Sequence, residues 1–196
     1  MDNLFVKMPR MRIGALIGKQ GKTKKELEEL SDCNIFVDSA TGDVEISSEK
    51  ANPITFYRLE QVIKAIARGF SPEHAKYLLD ESFILNIINL HDLGIHTSKT
   101  LQTRKARVIG SQGAIRQFIE DSLDCFIAIQ GKTISIIGNI ENIRIAHEAI
   151  LKLLKGATIS RIKKYINRAK TNIDQISNTE SNNINFDNEQ ERDILD

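Results

Sequence analysis

One segment of this chain occurs twice. Arg12–Ile35 laid against Arg104–Ile127, at a constant offset of 92, is identical at 9 of 24 positions. The identities are Arg12/Arg104, Ile17/Ile109, Gly18/Gly110, Gln20/Gln112, Gly21/Gly113, Glu28/Glu120, Asp32/Asp124, Cys33/Cys125 and Ile35/Ile127. Leu16/Val108, Leu27/Ile119 and Lys24/Arg116 differ conservatively. Self-similarity at a fixed spacing marks a repeated structural unit. This spacing is too long for a solenoid repeat and long enough for a small domain. The 196 residues are therefore expected to fold as two copies of one small unit.

At the centre of each copy two glycines stand three residues apart, in Ile17-Gly18-Lys19-Gln20-Gly21-Lys22 and in Ile109-Gly110-Ser111-Gln112-Gly113-Ala114. A lone pair of this kind means little. Here each joins an apolar run to an amphipathic helix, and the loop keeps the same Gln. A helix N-terminus offers free N–H groups and a partial positive charge. Glycine permits a tight turn and a close backbone approach by a ligand. Together these suit a phosphate.

A broken local rule supports that reading. Lys22, Lys24 and Lys25 crowd the first turn of a helix, where cations oppose the macrodipole, each by about 0.3–1 kcal/mol. Glu26 and Glu29 are placed to offset part of this through i, i+4 pairs with Lys22 and Lys25. With Lys19 these cations form a basic mouth at the first loop. At the second loop the cations lie mainly upstream, at Arg104, Lys105 and Arg107, with Arg116 downstream.

Charge is distributed unevenly. Of 27 Lys+Arg and 26 Asp+Glu, residues 171–196 hold one cation, Arg192, and seven acids. That leaves 26 basic and 19 acidic residues in 1–170, a balance of +7. A basic body with an acidic tail fits a polyanion-binding module.

Other chemistries find little support. Gly21-Lys22-Thr23 resembles the end of a nucleotide-binding P-loop, but the glycine that motif needs five residues earlier is replaced by Leu16. No Ser/His/Asp set or carboxylate pair can be assigned, so no catalytic residue is named and the chain is expected not to be an enzyme. Four His and two Cys, none at ligand spacing, argue no metal site, and no cofactor is expected. Cys33 and Cys125 are expected to be buried in two small cores. No apolar run approaches a membrane span, and the N-terminus lacks a signal-peptide shape. The expected location is cytoplasmic.

Along the chain, Leu4–Met8 reads as a strand and Met11–Ile17 as a short helix. Lys22–Leu30 reads as a second helix, facing inward through Thr23, Leu27 and Leu30. Asn34–Asp38 and Val44–Ile46 read as a hairpin, with Ile35 and Val37 on one side and Phe36 on the other. Asn52-Pro53 opens a long helix carrying Phe56, Leu59, Ile63, Ile66 and Phe70. Ser71-Pro72 starts a short bridging helix to about Asp80.

The order then repeats. Phe83–Leu90 is a strand, His91–Thr103 a polar connection, and Arg104–Ile109 leads into the loop. Ala114–Leu123 is a helix facing inward through Ile115, Phe118, Ile119 and Ser122. Phe126–Gln130 and Thr133–Ile137 form a hairpin across Gly131-Lys132. Glu141–Lys155 is a long helix ended by Gly156, with Ile143, Ala146, Ile150 and Leu153 inward. Thr158 or Ser160 caps a further helix to about Lys170, with Ile159, Ile162 and Ile166 on one side. Residues 171–196 lack periodicity and read as mostly disordered. The resulting division is 1–70, a linker helix over 71–81, 82–170 with its closing helix, and the tail.

These residues resemble a pair of KH domains. Ile17-Gly18-Lys19-Gln20-Gly21 and Val108-Ile109-Gly110-Ser111-Gln112-Gly113 carry the likeness, each followed by helix, hairpin and long helix. The resemblance implies an α+β fold of two tandem type I KH domains. Each would have a three-stranded antiparallel sheet with three helices on one face, followed here by an extra C-terminal helix and the acidic tail. KH domains clamp the backbone of about four single-stranded nucleotides on the GxxG loop. Site residues implied are Gly18, Lys19, Gln20, Gly21, Lys22, Lys24 and Lys25, and Arg104, Lys105, Arg107, Gly110, Ser111, Gln112, Gly113 and Arg116. The base groove would involve Ile13, Leu16, Ile35 and Val37, and Ile109, Ile127 and Ile129.

Over residues 4–170 the chain is similar to the archaeal two-KH proteins related to the eukaryotic partner-of-Nob ribosome assembly factor. That implies binding near the 3′ end of small-subunit (16S) rRNA and assistance to the PIN-domain endonuclease that trims it. The alternative is an adapter that contacts translation initiation machinery or a nuclease. One departure stands out: KH loops commonly carry a basic residue where this chain has Ser111-Gln112.

Overall fold

The computed structural model describes residues 2–48 and 52–172. Its order is β1 (Asp2–Lys7), α1 (Arg10–Ile17), α2 (Lys22–Ser31), β2 (Asn34–Asp38), β3 (Asp43–Ser48) and α3 (Pro53–Ala67). A short α4 (Pro72–Ala75) and a 3₁₀ turn (Lys76–Leu79) lead to β4 (Ile84–Asn89). Then follow α5 (Ser98–Ile109), α6 (Ala114–Leu123), β5 (Phe126–Gln130), β6 (Thr133–Gly138), α7 (Ile140–Lys155) and α8 (159–172). The fold is α+β, two KH units in tandem. The expectation of disorder for the acidic tail falls, beyond residue 172, outside the described residues.

Each unit holds one antiparallel three-stranded sheet, ordered β1-β3-β2 and β4-β6-β5. In the first, rows such as Leu4↔Ile46↔Ile35 and Val6↔Val44↔Val37 point at α1, α2 and α3. The other face is open to solvent: Phe5 and Phe36 flank Glu45 in register and are 68% and 67% exposed. This is the alternation of a half-buried sheet.

The second sheet is buried on both faces. Ile88↔Ile134↔Ile129 and Asn86↔Ile136↔Ile127 face the unit's own helices. The opposite row, Leu85↔Ile137↔Phe126, packs into the core of the first unit, together with Ala128. The linker completes the contact: the His74 ring stacks on Phe126, with centroids 4.1 Å apart, and Tyr77 tilts against Phe83 and Phe126.

Three local expectations are corrected. Leu30 is 56% exposed, and Ser31 takes the inner place after Leu27. Its hydroxyl donates to the Leu27 carbonyl at 2.6 Å, which lets a small polar residue be buried. In α6 the same shift puts Leu123 inward rather than Ser122. The polar connection over His91–Thr103 is shorter than expected, because α5 starts at Ser98. Thr97 caps it by accepting the Thr100 N–H at 3.2 Å. Finally, Ile159 is 47% exposed, while Ile162 and Ile166 of α8 are buried. Thr158 is the cap of α8, accepting the Arg161 N–H at 3.4 Å.

Candidate nucleic-acid interface

The two glycine loops have the same backbone. Gly18 lies at φ 74, ψ 176 and Gly110 at φ 76, ψ 179, a region that only glycine occupies freely. A Cβ on Gly18 would meet the Thr23 hydroxyl at 2.2 Å, and one on Gly110 would meet Ile115 at 2.5 Å. Gln20 and Gln112 are left-handed, at φ 54 and φ 50, as are Gly21 and Gly113. The chain thus reverses within four residues and enters α2 or α6.

Those helix starts differ from three others in the molecule and, like that of α1, carry no side-chain cap. α3, α5 and α7 are capped by the side chains of Asn52, Thr97 and Asn139. α2 and α6 begin at Gly21 and Gly113 with no side-chain cap. The Lys22 and Ala114 N–H groups bond back to the Lys19 and Ser111 carbonyls. The next amides of each first turn meet no side-chain cap, and a phosphate is the acceptor that a helix N-terminus favours.

Around the first loop, Lys19, Lys22 and Lys25 line one cleft with Gln20, Glu26 and Glu29. Among the described residues these three lysines form no ion pair. Lys24 is engaged with Glu28 at 2.9 Å, and Glu26 is held by Lys76 of the linker rather than by Lys22. The expected Lys22–Glu26 and Lys25–Glu29 pairs are absent among the described residues.

Around the second loop Arg104, Lys105 and Arg116 are bonded within the protein. Arg104 donates to the Leu154 carbonyl at the end of α7, as Arg12 does to Ile66 at 2.9 Å and to Phe70. Lys105 donates to the Gly131 carbonyl at 2.9 Å. Arg107 is exposed beside Gly156, and Arg116 pairs with Glu120 at 3.3 Å. Ser111 and Gln112 are exposed.

Of the groove candidates, Ile13, Leu16, Ile35 and Ile127 are core residues. Val37 and Ile129 are half-buried, and Ile109 is exposed at 37%. Sequence reasoning missed the work of Glu28 and Glu120. Each accepts the N–H of a strand residue, Ile35 at 2.8 Å and Ile127 at 2.7 Å, and each holds the cation at Lys24 or Arg116. The signal was present, since all of these positions match across the repeat. No group of acids, His and Cys that could hold a metal occurs among the described residues, and none of their helices is long and apolar enough to cross a membrane.

Comparison with known proteins agrees with this geometry. Residues 84–171 match the family model for the second KH domain of partner-of-Nob proteins, a eukaryotic-type, type I KH domain. Residues 3–55 match the general KH-domain model. A KH domain-containing protein of Methanocaldococcus jannaschii is 32% identical over 171 residues, covering 86% of this chain and 74% of that protein. Among solved structures, one from Aeropyrum pernix superposes with a TM-score of 0.88 at 30% identity, covering 92% of this chain and 96% of the other. Dim2p from Pyrococcus horikoshii superposes with a TM-score of 0.80 at 41% identity, covering 86% and 99%. The same protein in an a/eIF2α–aDim2p–rRNA complex gives 0.82 at 41%, covering 87% and 95%. With two matching loops, two matching sheets and these relatives, the chain belongs to the archaeal family of KH RNA-binding proteins related to partner-of-Nob.

Proposed function

We propose that this protein holds single-stranded RNA on its two GxxG loops, that its target is the 3′ end region of small-subunit (16S) rRNA during ribosome maturation, and that it assists an endonuclease there without catalysing a reaction itself. It would act in the cytoplasm. The observation that carries the reading is the pair of uncapped helix N-termini behind identical left-handed loops. Lys19, Lys22 and Lys25 supply attraction at the first. At the second, the amides of α6 act with the exposed Arg107 in the last turn of α5. Arg104 serves by holding α5 to α7.

The P. horikoshii relative whose solved complex contains rRNA supports a ribosomal target, and the a/eIF2α in that complex favours a second reading, contact with an initiation factor. Two loops on one chain should act together, because the second contact is intramolecular once the first is made.

The test is competition at fixed physiological salt, since phosphate contacts alone make all RNAs look alike at low salt. An oligonucleotide copying the unpaired 3′ end of the organism's 16S rRNA should outcompete both a blunt duplex and a scrambled single strand. Equal competition by duplex would count against a KH mechanism. Equal competition by the scrambled strand would remove the specific ribosomal site.

A further inference from the structure

The second loop has no cation of its own, and Arg104, Lys105 and Arg116 are each engaged within the protein. The missing charge stands on α8. Residues 159–172 include Arg161, Lys163, Lys164, Arg168 and Lys170 and no acid. All five are exposed, and none makes an ion pair among the described residues. Lys164 and Arg168 sit four apart, a spacing at which like charges oppose helix formation. Exposed helices usually relieve this with acids at i±4, as Glu148 and Lys152 do on α7.

The helix is nevertheless anchored. Ile162 and Ile166 are buried in the second core, with Tyr165 and Ala169 packed against it. One contact of the helix and one of the chain entering it relate it to the helices around the loop. The Lys163 ammonium lies 5.0 Å from the ring centre of Phe118 on α6, the helix that the loop feeds. The Arg107 guanidinium of α5, the helix leading into the loop, lies so near Gly156 that an added Cβ would meet it at 2.9 Å. The chain entering α8 and α8 itself thus border both helices that frame Gly110–Gly113.

We propose that α8 is a phosphate-binding face that continues the RNA path beyond the second GxxG loop. It takes the backbone of single-stranded RNA flanking the nucleotides held at that loop. This rests on the loop reading above and assigns the charge that the second loop lacks to an element outside the KH fold proper.

The test compares the full chain with Lys164→Gln/Arg168→Gln/Lys170→Gln, leaving Lys163 on its Phe118 contact. Binding of a four-nucleotide and a sixteen-nucleotide single-stranded RNA is measured by anisotropy between 50 and 200 mM salt. Each phosphate contact on a single strand adds about 0.7 to the salt slope. Loss of three should lower the slope for the long RNA by about 2, so the wild type loses about 20-fold more affinity over that range than the variant does. The short RNA should bind both proteins alike. A charge-keeping variant, Lys164→Arg/Arg168→Lys/Lys170→Arg, should retain the wild-type slope. An unchanged slope for the glutamine variant on the long RNA overturns the proposal, as does an equal loss on both RNAs. Failure of the wild type to bind either RNA would strike the loop reading itself, a result distinct from both.

Discussion

The Glu120 carboxylate accepts the backbone N–H of Ile127 at 2.7 Å, tying α6 to the outer edge of β5. Glu28 does the same for Ile35 in the first unit. The carboxylate is mostly buried, so its removal leaves a strand amide without a partner. Glu120→Ala is expected to lower stability by about 1–3 kcal/mol. Glu120→Gln, which keeps an acceptor oxygen, should lose less. Urea denaturation measures both; equal losses would show that the charge, rather than the acceptor, is what matters.

The two glycines of a loop should differ in tolerance. At Gly18 an added Cβ meets both the side chain and the backbone N of Thr23, at 2.2 and 2.8 Å. At Gly21 it meets nothing within 4 Å, and only the left-handed φ of 76 opposes it. Gly18→Ala is expected to cost about 3 kcal/mol and Gly21→Ala about 1 kcal/mol. Thermal melts of the two variants decide this; a reversed order would mean that the loop relaxes at Gly18.

Charge reversal at the loops separates binding from folding. Lys19 and Gln20 are exposed, and Asp tolerates the left-handed backbone that Gln20 adopts. Lys19→Asp/Gln20→Asp should leave the melting temperature within a few degrees and abolish binding to single-stranded RNA in a gel shift. Ser111→Asp/Gln112→Asp should weaken binding as well, because the uncapped start of α6 then faces a carboxylate instead of a phosphate. Full RNA affinity in either folded variant would end that loop's assignment.

Both cysteines should be inert in the native protein. Burial pushes the Cys125 thiol up to about 12, with Glu120 and Asp124 adding to the effect, and burial also raises Cys33. The thiolate is the reactive form, so a disulfide reagent at pH 8 should label neither until urea unfolds the chain. The linkage has a definite sign. From the ordinary value of 9.0 up to about 12, the folded state keeps the Cys125 proton that the unfolded state has lost. That contribution to stability is complete below pH 9 and falls as pH rises through this window. The alkaline limb of stability should therefore be less steep in Cys125→Ala. An unchanged limb, or rapid native labelling of Cys125, would contradict the burial of this residue.

Much of this was legible because the chain writes its unit twice. Matching Gly18/Gly110 and Gln20/Gln112 located the loops, and Asn52-Pro53 and Gly156 marked helix ends where the structure has them. Arg12 and Arg104 illustrate the limit. Their identity across the repeat was visible, but whether a guanidinium meets a phosphate or a helix's last carbonyls depends on contacts 58 and 50 residues away, with Phe70 and Leu154 respectively. Residues 98–103 read as polar because a surface helix with few inward side chains has weak periodicity. The burial of both faces of the second sheet left a trace. Where the first unit has Phe36 and Glu45, the second has Ala128 and Ser135, small residues that admit a covering helix. That trace is read only once the two strands are paired.

The stacking of His74 on Phe126 and the sharing of Ile137 with the first unit's core have a consequence for length. Units tethered by a floppy string would sample many separations, and any RNA long enough could reach both. Here buried surface sets the separation of the two loops. On the proposed function, a strand gripped at both loops would have to bridge one span, and the protein would act as a gauge: a nucleotide added or removed between the grips would have to be taken up by the RNA.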